Sequence, residues 1–155
     1  MKTELFIKSA QAIDHILGGA KSPIVLAKIV LTCQEDDITA FVTDSLKSEP
    51  IGKCTLRDGA EEVDIEVYGI GNTKATASFM AQRITTSKGA FAYEIRNDSE
   101  GCWRIYRGNK HIARVERKDC GLSPDKLTLL ALSCFYVLVE SCLYGRTRIG
   151  SLFFT

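Results

Sequence analysis

Between Leu127 and Val139 the chain carries no charge, and apolar side chains occupy every face of the helix this run would form. A helix apolar all round has to be surrounded, by protein or by lipid. Thirteen residues rising 1.5 Å each reach about 20 Å, short of the ~30 Å hydrocarbon core. The run therefore reads as a buried core helix, with no transmembrane segment. Its start is marked by Ser123 as N-cap, Pro124 at the first helical position and Asp125 in the positive first turn. Gly145 is a reasonable stop.

What precedes this helix has a different rhythm. Short β-prone runs recur with turn residues between them: Ile24 to Leu31, Ile38 to Val42, Ile51 to Leu56, Val63 to Ile70, Ala75 to Arg83, Phe91 to Arg96, Trp103 to Arg107 and His111 to Arg117. Glu35-Asp36-Asp37, Asp58-Gly59, Gly71-Asn72, Ser87-Lys88-Gly89, Asn97 to Gly101 and Gly108-Asn109 punctuate them. Regular spacing of this kind predicts an antiparallel meander. Alternation is clean in Val63-Asp64-Ile65-Glu66-Val67, where both carboxylates face one way. Residues 4–17 read two ways. Phe6, Ala10, Ile13 and Leu17 recur at helical spacing, whereas Leu5 and Ile7 alternate as in a strand. Ile149 and Leu152-Phe153-Phe154 could form one closing strand.

A length of 155 residues suits a single domain, 1–155, with enough chain to bury a core without staples. The six cysteines include no Cys-x-x-Cys pair. Reduced thiols in a cytoplasmic setting are expected, since Cys134 and Cys142 sit in the apolar helix as small hydrophobes. The N-terminus has no apolar run of signal-peptide length and reads as mature from its start. Twenty Lys and Arg against nineteen Asp and Glu leave a net charge of +1, which argues against a dedicated nucleic-acid binder.

Many short antiparallel strands followed by one apolar helix fit a closed barrel threaded by that helix, because the wall then meets the helix on every side. The stretch Phe91-Ala92-Tyr93-Glu94-Ile95-Arg96-Asn97-Asp98, then Trp103-Arg104-Ile105-Tyr106-Arg107-Gly108-Asn109-Lys110-His111-Ile112-Ala113-Arg114-Val115, then the helix from Ser123, resembles the tubby C-terminal-like fold. That fold is shared by tubby, the LURP-one-related proteins and phospholipid scramblases. The resemblance covers roughly the last third of the chain; the first 85 residues match in strand rhythm alone. It implies a mainly β fold, an antiparallel barrel enclosing a central helix; the other architecture that the run of elements allows is an α+β sandwich. It also implies phosphoinositide binding of the tubby type.

Chemistry is sparse. Gly19-Ala20-Lys21-Ser22 has Ala where a phosphate-binding loop needs Gly, and Pro23 follows too soon for a helix. Gly69-Ile70-Gly71 lacks a third glycine and reads as a turn. His15 and His111 lie far apart and read as surface histidines, with no base-and-nucleophile set and no metal cluster around them. Trp103 reads as a core or rim anchor. No cofactor and no catalytic residue is expected.

Charge distribution carries the most information. Residues 35–66 hold ten acids against three bases, a net of −7. Residues 96–118 hold Arg96, Arg104, Arg107, Lys110, Arg114, Arg117 and Lys118 against three acids, a net of +4. Two solvated faces that partly compensate one another would explain this. So would a basic surface for anionic lipid headgroups or an acidic protein surface. The seven bases are the candidate site. The expected function is a non-catalytic, cytoplasmic binding domain, peripheral to a membrane. The other reading is a structural or adaptor subunit of a larger assembly, and an enzyme is the weakest of the three.

Overall fold

Side-chain alternation determines which face of each strand is buried. The computed structural model describes residues 2–10, 24–45, 47–57, 59–77, 82–97, 102–117 and 124–143. Among the described residues eleven strands precede one helix: β1 (Lys2–Ser9), β2 (Val25–Gln34), β3 (Asp37–Asp44), β4 (Glu49–Leu56), β5 (Glu62–Val67), β6 (Gly71–Ala77), β7 (Ile84–Thr86), β8 (Gly89–Ala90), β9 (Tyr93–Asn97), β10 (Trp103–Arg107), β11 (Lys110–Arg117) and α1 (Pro124–Leu143). All the strands belong to one antiparallel sheet, in the order β8-β7-β6-β5-β4-β3-β2-β1-β11-β10-β9. The non-local join is β1, which lies between β2 and β11, with Ile7 opposite both Ala27 and Val115.

One face of this sheet is apolar. Leu5, Ile7, Ile29, Leu31, Val42, Ile65, Ile95 and Ile105 are buried, and α1 packs against β3, β4, β5, β7 and β9. Every residue from Leu129 to Cys142 is buried. Gly52 on β4 permits the approach of the helix. A Cβ there would lie 2.6 Å from Val137 Cγ1 and closer still to the Glu66 carbonyl oxygen. Phe91 and Tyr93 clasp the other side of the helix, their rings 5.2 Å from Tyr136 and Phe135 respectively.

Ser133 and Thr128 on the helix are hydrogen-bonded. Ser133 Oγ donates to the Leu129 carbonyl at 2.8 Å, and Trp103 Nε1 donates to Thr128 Oγ1 at 2.8 Å. Trp103 is therefore a core residue with its one donor paired. Cys33, Cys54 and Cys134 are free thiols. Burial pushes the Cys54 thiol up, and its contact with the Cys134 thiol adds to this, so Cys54 stays protonated and unreactive.

Several expectations need correction. Over residues 4–17 the described part is strand: Phe6 pairs with Lys28 and Glu116, and the alternation of Leu5 and Ile7 decides over helical spacing. The run Ala75 to Arg83 is not one strand. Pairing with β5 begins at Gly71 and β6 ends at Ala77, before a separate β7. The helix has 20 residues, a rise of about 30 Å. It is thus long and apolar enough to cross a bilayer, and the length argument against that fails. Burial places it in the core instead, since 83% of its apolar stretch is covered by protein. The strand order runs open from β8 to β9, so strand pairing gives a large antiparallel sheet with a helix packed on it. A closed barrel goes further than that. Ser123, Gly145 and the closing strand at 149–154 lie outside the described residues, as do residues 11–17 and the Gly19 to Ser22 loop.

Candidate functional site

Antiparallel register brings arginines from three strands into one row. On β10 the alternation buries Trp103 and Ile105 and turns Arg104 and Tyr106 outward. Arg104 lies directly opposite Arg96 on β9 and Arg114 on β11. Arg114 in turn lies opposite Lys8 on β1. Neighbouring strands are about 4.8 Å apart, so these four cations span about three strand spacings on the outer face.

Among the described residues two carboxylates are woven into the row. Glu94 accepts from Arg96 Nε at 3.1 Å and from Arg83 Nη2 at 3.2 Å. The hydrogen bond from Arg96 holds the Glu94 carboxyl below its ordinary range, and Arg83 contributes in the same direction. Glu116 accepts from Lys8 Nζ at 2.7 Å and from Arg114 Nη2 at 3.0 Å. Each carboxylate is shared by two cations, so the surface keeps a positive excess.

At the hairpin tip Gly108 takes φ = 61°, a left-handed conformation that glycine adopts without steric cost. Arg107 and Lys110 pair across this turn, and both are exposed. Arg107 follows Ile105 to the inner-face side of the strand, where its guanidinium lies 5.8 Å from the Tyr93 ring. Neither has a carboxylate partner among the described residues.

Tyr106 and His111 add a half-buried aromatic pair. Their rings are 5.2 Å apart, and the Arg96 guanidinium lies 4.6 Å from the Tyr106 ring. Burial lowers the His111 pKa, and the nearby Arg104 and Arg114 charges lower it further, while a hydrogen bond to the Ala113 backbone opposes them.

Of the seven expected bases, Arg96, Arg104 and Arg114 share the outer row, and Arg107 and Lys110 form the tip. Arg117 lies opposite Leu5 on β1, and Lys118 is outside the described residues. Sequence reasoning missed Lys8 and Arg83, which reach this face only through non-local pairing, and it left His111 as an ordinary surface residue.

The acidic segment lies elsewhere. From β5 to β11 the sheet takes five steps, roughly 24 Å along its surface. That puts β5 about three screening lengths from β11 at physiological salt, while β3, where the acidic segment begins, is three steps away. The acids of β5 are offset locally, by Lys53 to Glu66 at 3.7 Å, Arg57 to Asp64 at 3.5 Å and Lys74 to Glu62 at 3.9 Å. A shallow hollow of about 480 Å³ over β4 to β6 is lined by these mixed charges and has no dominant sign.

Among the described residues no three His, Cys, Asp or Glu side chains come together as a metal site would need. Comparison of the chain with protein-family models, curated proteins and solved structures gives no match.

Proposed function

We propose that the chain is a non-catalytic binding domain whose β9–β11 face docks on an anionic membrane surface from the cytoplasmic side. The observation that carries this reading is the cross-strand row Arg96–Arg104–Arg114, extended by Lys8 and crowned by Arg107 and Lys110 at an exposed tip. A rigid sheet holds these cations in register, so little side-chain order has to be gained on contact. Phosphoinositide-type headgroups are the ligand implied by the resemblance to tubby-type domains. The same resemblance supports a barrel closed around α1. Near the open seam Ile95 N donates to the Gln82 carbonyl at 2.8 Å, and Arg83 reaches Glu94. An acidic protein surface would meet the same cations and is the competing partner.

The test is charge reversal at the tip, Arg107→Glu with Lys110→Glu. Each exposed base near an anionic surface contributes about 1 kcal/mol, so losing the pair costs about 2 kcal/mol and reversing both charges at least that, or at least about thirtyfold in vesicle affinity. Melting should change little, because both side chains are exposed. Unchanged affinity for anionic vesicles at low salt would make the tip a solvated surface. Loss of a stoichiometric acidic protein from the purified complex, with no vesicle binding by the parent, would favour the adaptor reading.

A further inference from the structure

The pair His111 and Arg114 holds an unmet hydrogen-bonding capacity in the middle of the basic face. His111 Nε2 and Arg114 Nε are buried side-chain nitrogens without a hydrogen-bond partner. The ring also bonds the Ala113 backbone, and a neutral ring that carries its proton on Nδ1 presents Nε2 as an acceptor. The charged groups around it are mostly cations, with the Glu94 and Glu116 carboxylates held by Arg96 and by Arg114 and Lys8. Arg104 and Tyr106 face it from β10, and Arg114 flanks it on β11. Lys8 on β1 stands beyond Arg114, and Arg96 with Glu94 on β9 stands beyond Tyr106. A protonated ring would turn Nε2 into a donor and add a positive charge, and an anionic group held by Arg104 and Arg114 would compensate both.

We infer that binding at this face is proton-linked through His111, so that the domain holds anionic phospholipid more tightly as pH falls. This rests on the membrane-docking reading above and adds its regulation. The sign follows from linkage. The anion favours the charged ring, so the ring titrates at higher pH when bound than when free. Affinity is then level above the bound titration point, rises as pH drops between the two points, and levels again below the free one. One proton taken up gives at most about a tenfold gain per pH unit inside that window.

The experiment measures binding to phosphatidylglycerol-containing vesicles at about pH 8 and about pH 5.5, on either side of an ordinary histidine. Phosphatidylglycerol is chosen because its phosphodiester keeps a fixed charge over this range, whereas a phosphomonoester would itself titrate near pH 6. The parent should bind several-fold to tenfold more tightly at the lower pH. His111→Gln should lose the gain between the two pH values, while His15→Gln should keep it. In the parent, the ring signal of His111 followed by NMR should titrate at higher pH with short-chain phosphatidylglycerol than without; this readout does not depend on any variant folding. Equal parent affinity at both pH values, an undiminished gain in His111→Gln, or a ring titration unmoved by lipid would overturn the linkage and leave membrane docking standing. Absence of parent binding at either pH would overturn docking and the linkage together.

Discussion

Gly52 shows how much one side chain decides in this molecule. Its missing Cβ leaves the space that Val137 and the Glu66 carbonyl fill, so α1 sits directly on β4 and β5. Replacement by a β-branched residue pushes the helix off the sheet. Gly52→Val should cost about 1–3 kcal/mol by overpacking, and Tm should fall by about 2–4 °C per kcal/mol. Thermal melting followed by circular dichroism reads this, and an unchanged Tm would mean that the helix does not press on β4 there. At the same scale Arg104 illustrates what sequence can show. Its outward direction follows from the burial of Trp103 and Ile105 on either side. Its neighbours Arg96 and Arg114 are set by register, which a one-residue slip would reverse, and no local signal fixes that. His111 was harder still to read. Its half-buried stack on Tyr106 depends on the irregular register between Ile105 and Tyr106, where His111 rather than Ile112 comes to lie opposite Tyr106.

Elements were legible where pattern and burial agree. The charge-free run Leu127 to Val139 is core helix, and Trp103 to Arg107 is a strand with the bounds that its flanking glycines mark. Val63 to Val67 is a strand for the same reason as its alternation: β5 buries one face and wets the other. Legibility failed where a partner strand decides. Gly71 to Lys74 has few β-forming side chains, yet its backbone completes the ladder of β5. The far end of α1 carries a further lesson. Glu140 is buried and accepts Lys88 Nζ at 2.8 Å from the β7–β8 turn. The side chain of Glu140 is 9% exposed and that of Lys88 54%, so the two partners are not equivalent. Lys88→Met removes the cation from a buried carboxylate, leaving Tyr136 as its neighbour, and should cost about 1–3 kcal/mol. Glu140→Gln leaves a neutral amide facing an ammonium that can reach water, and it should cost less. Denaturant unfolding of both variants checks the order, and a larger loss for Glu140→Gln would mean that the pair does not need Lys88 to stabilise it.

At the scale of the whole molecule the near-neutral total conceals two separated sectors of the sheet. Strand order puts β5 and β11 far enough apart for screening to isolate them, and local ion pairs absorb much of the acidic sector. The basic sector keeps its excess because Glu94 and Glu116 are each shared between two cations. Charge counting along the chain found the sector, but it could not find Lys8, which is more than a hundred residues from Arg114 in sequence and directly opposite it in space. The most direct measurement is equilibrium binding of the unaltered chain to two kinds of vesicle, phosphatidylcholine alone and phosphatidylcholine with phosphatidylglycerol, over a range of salt. The account predicts binding to the anionic vesicles only, weakening steadily as salt rises. Equal binding to both kinds, or none to the anionic vesicles at low salt, would contradict it.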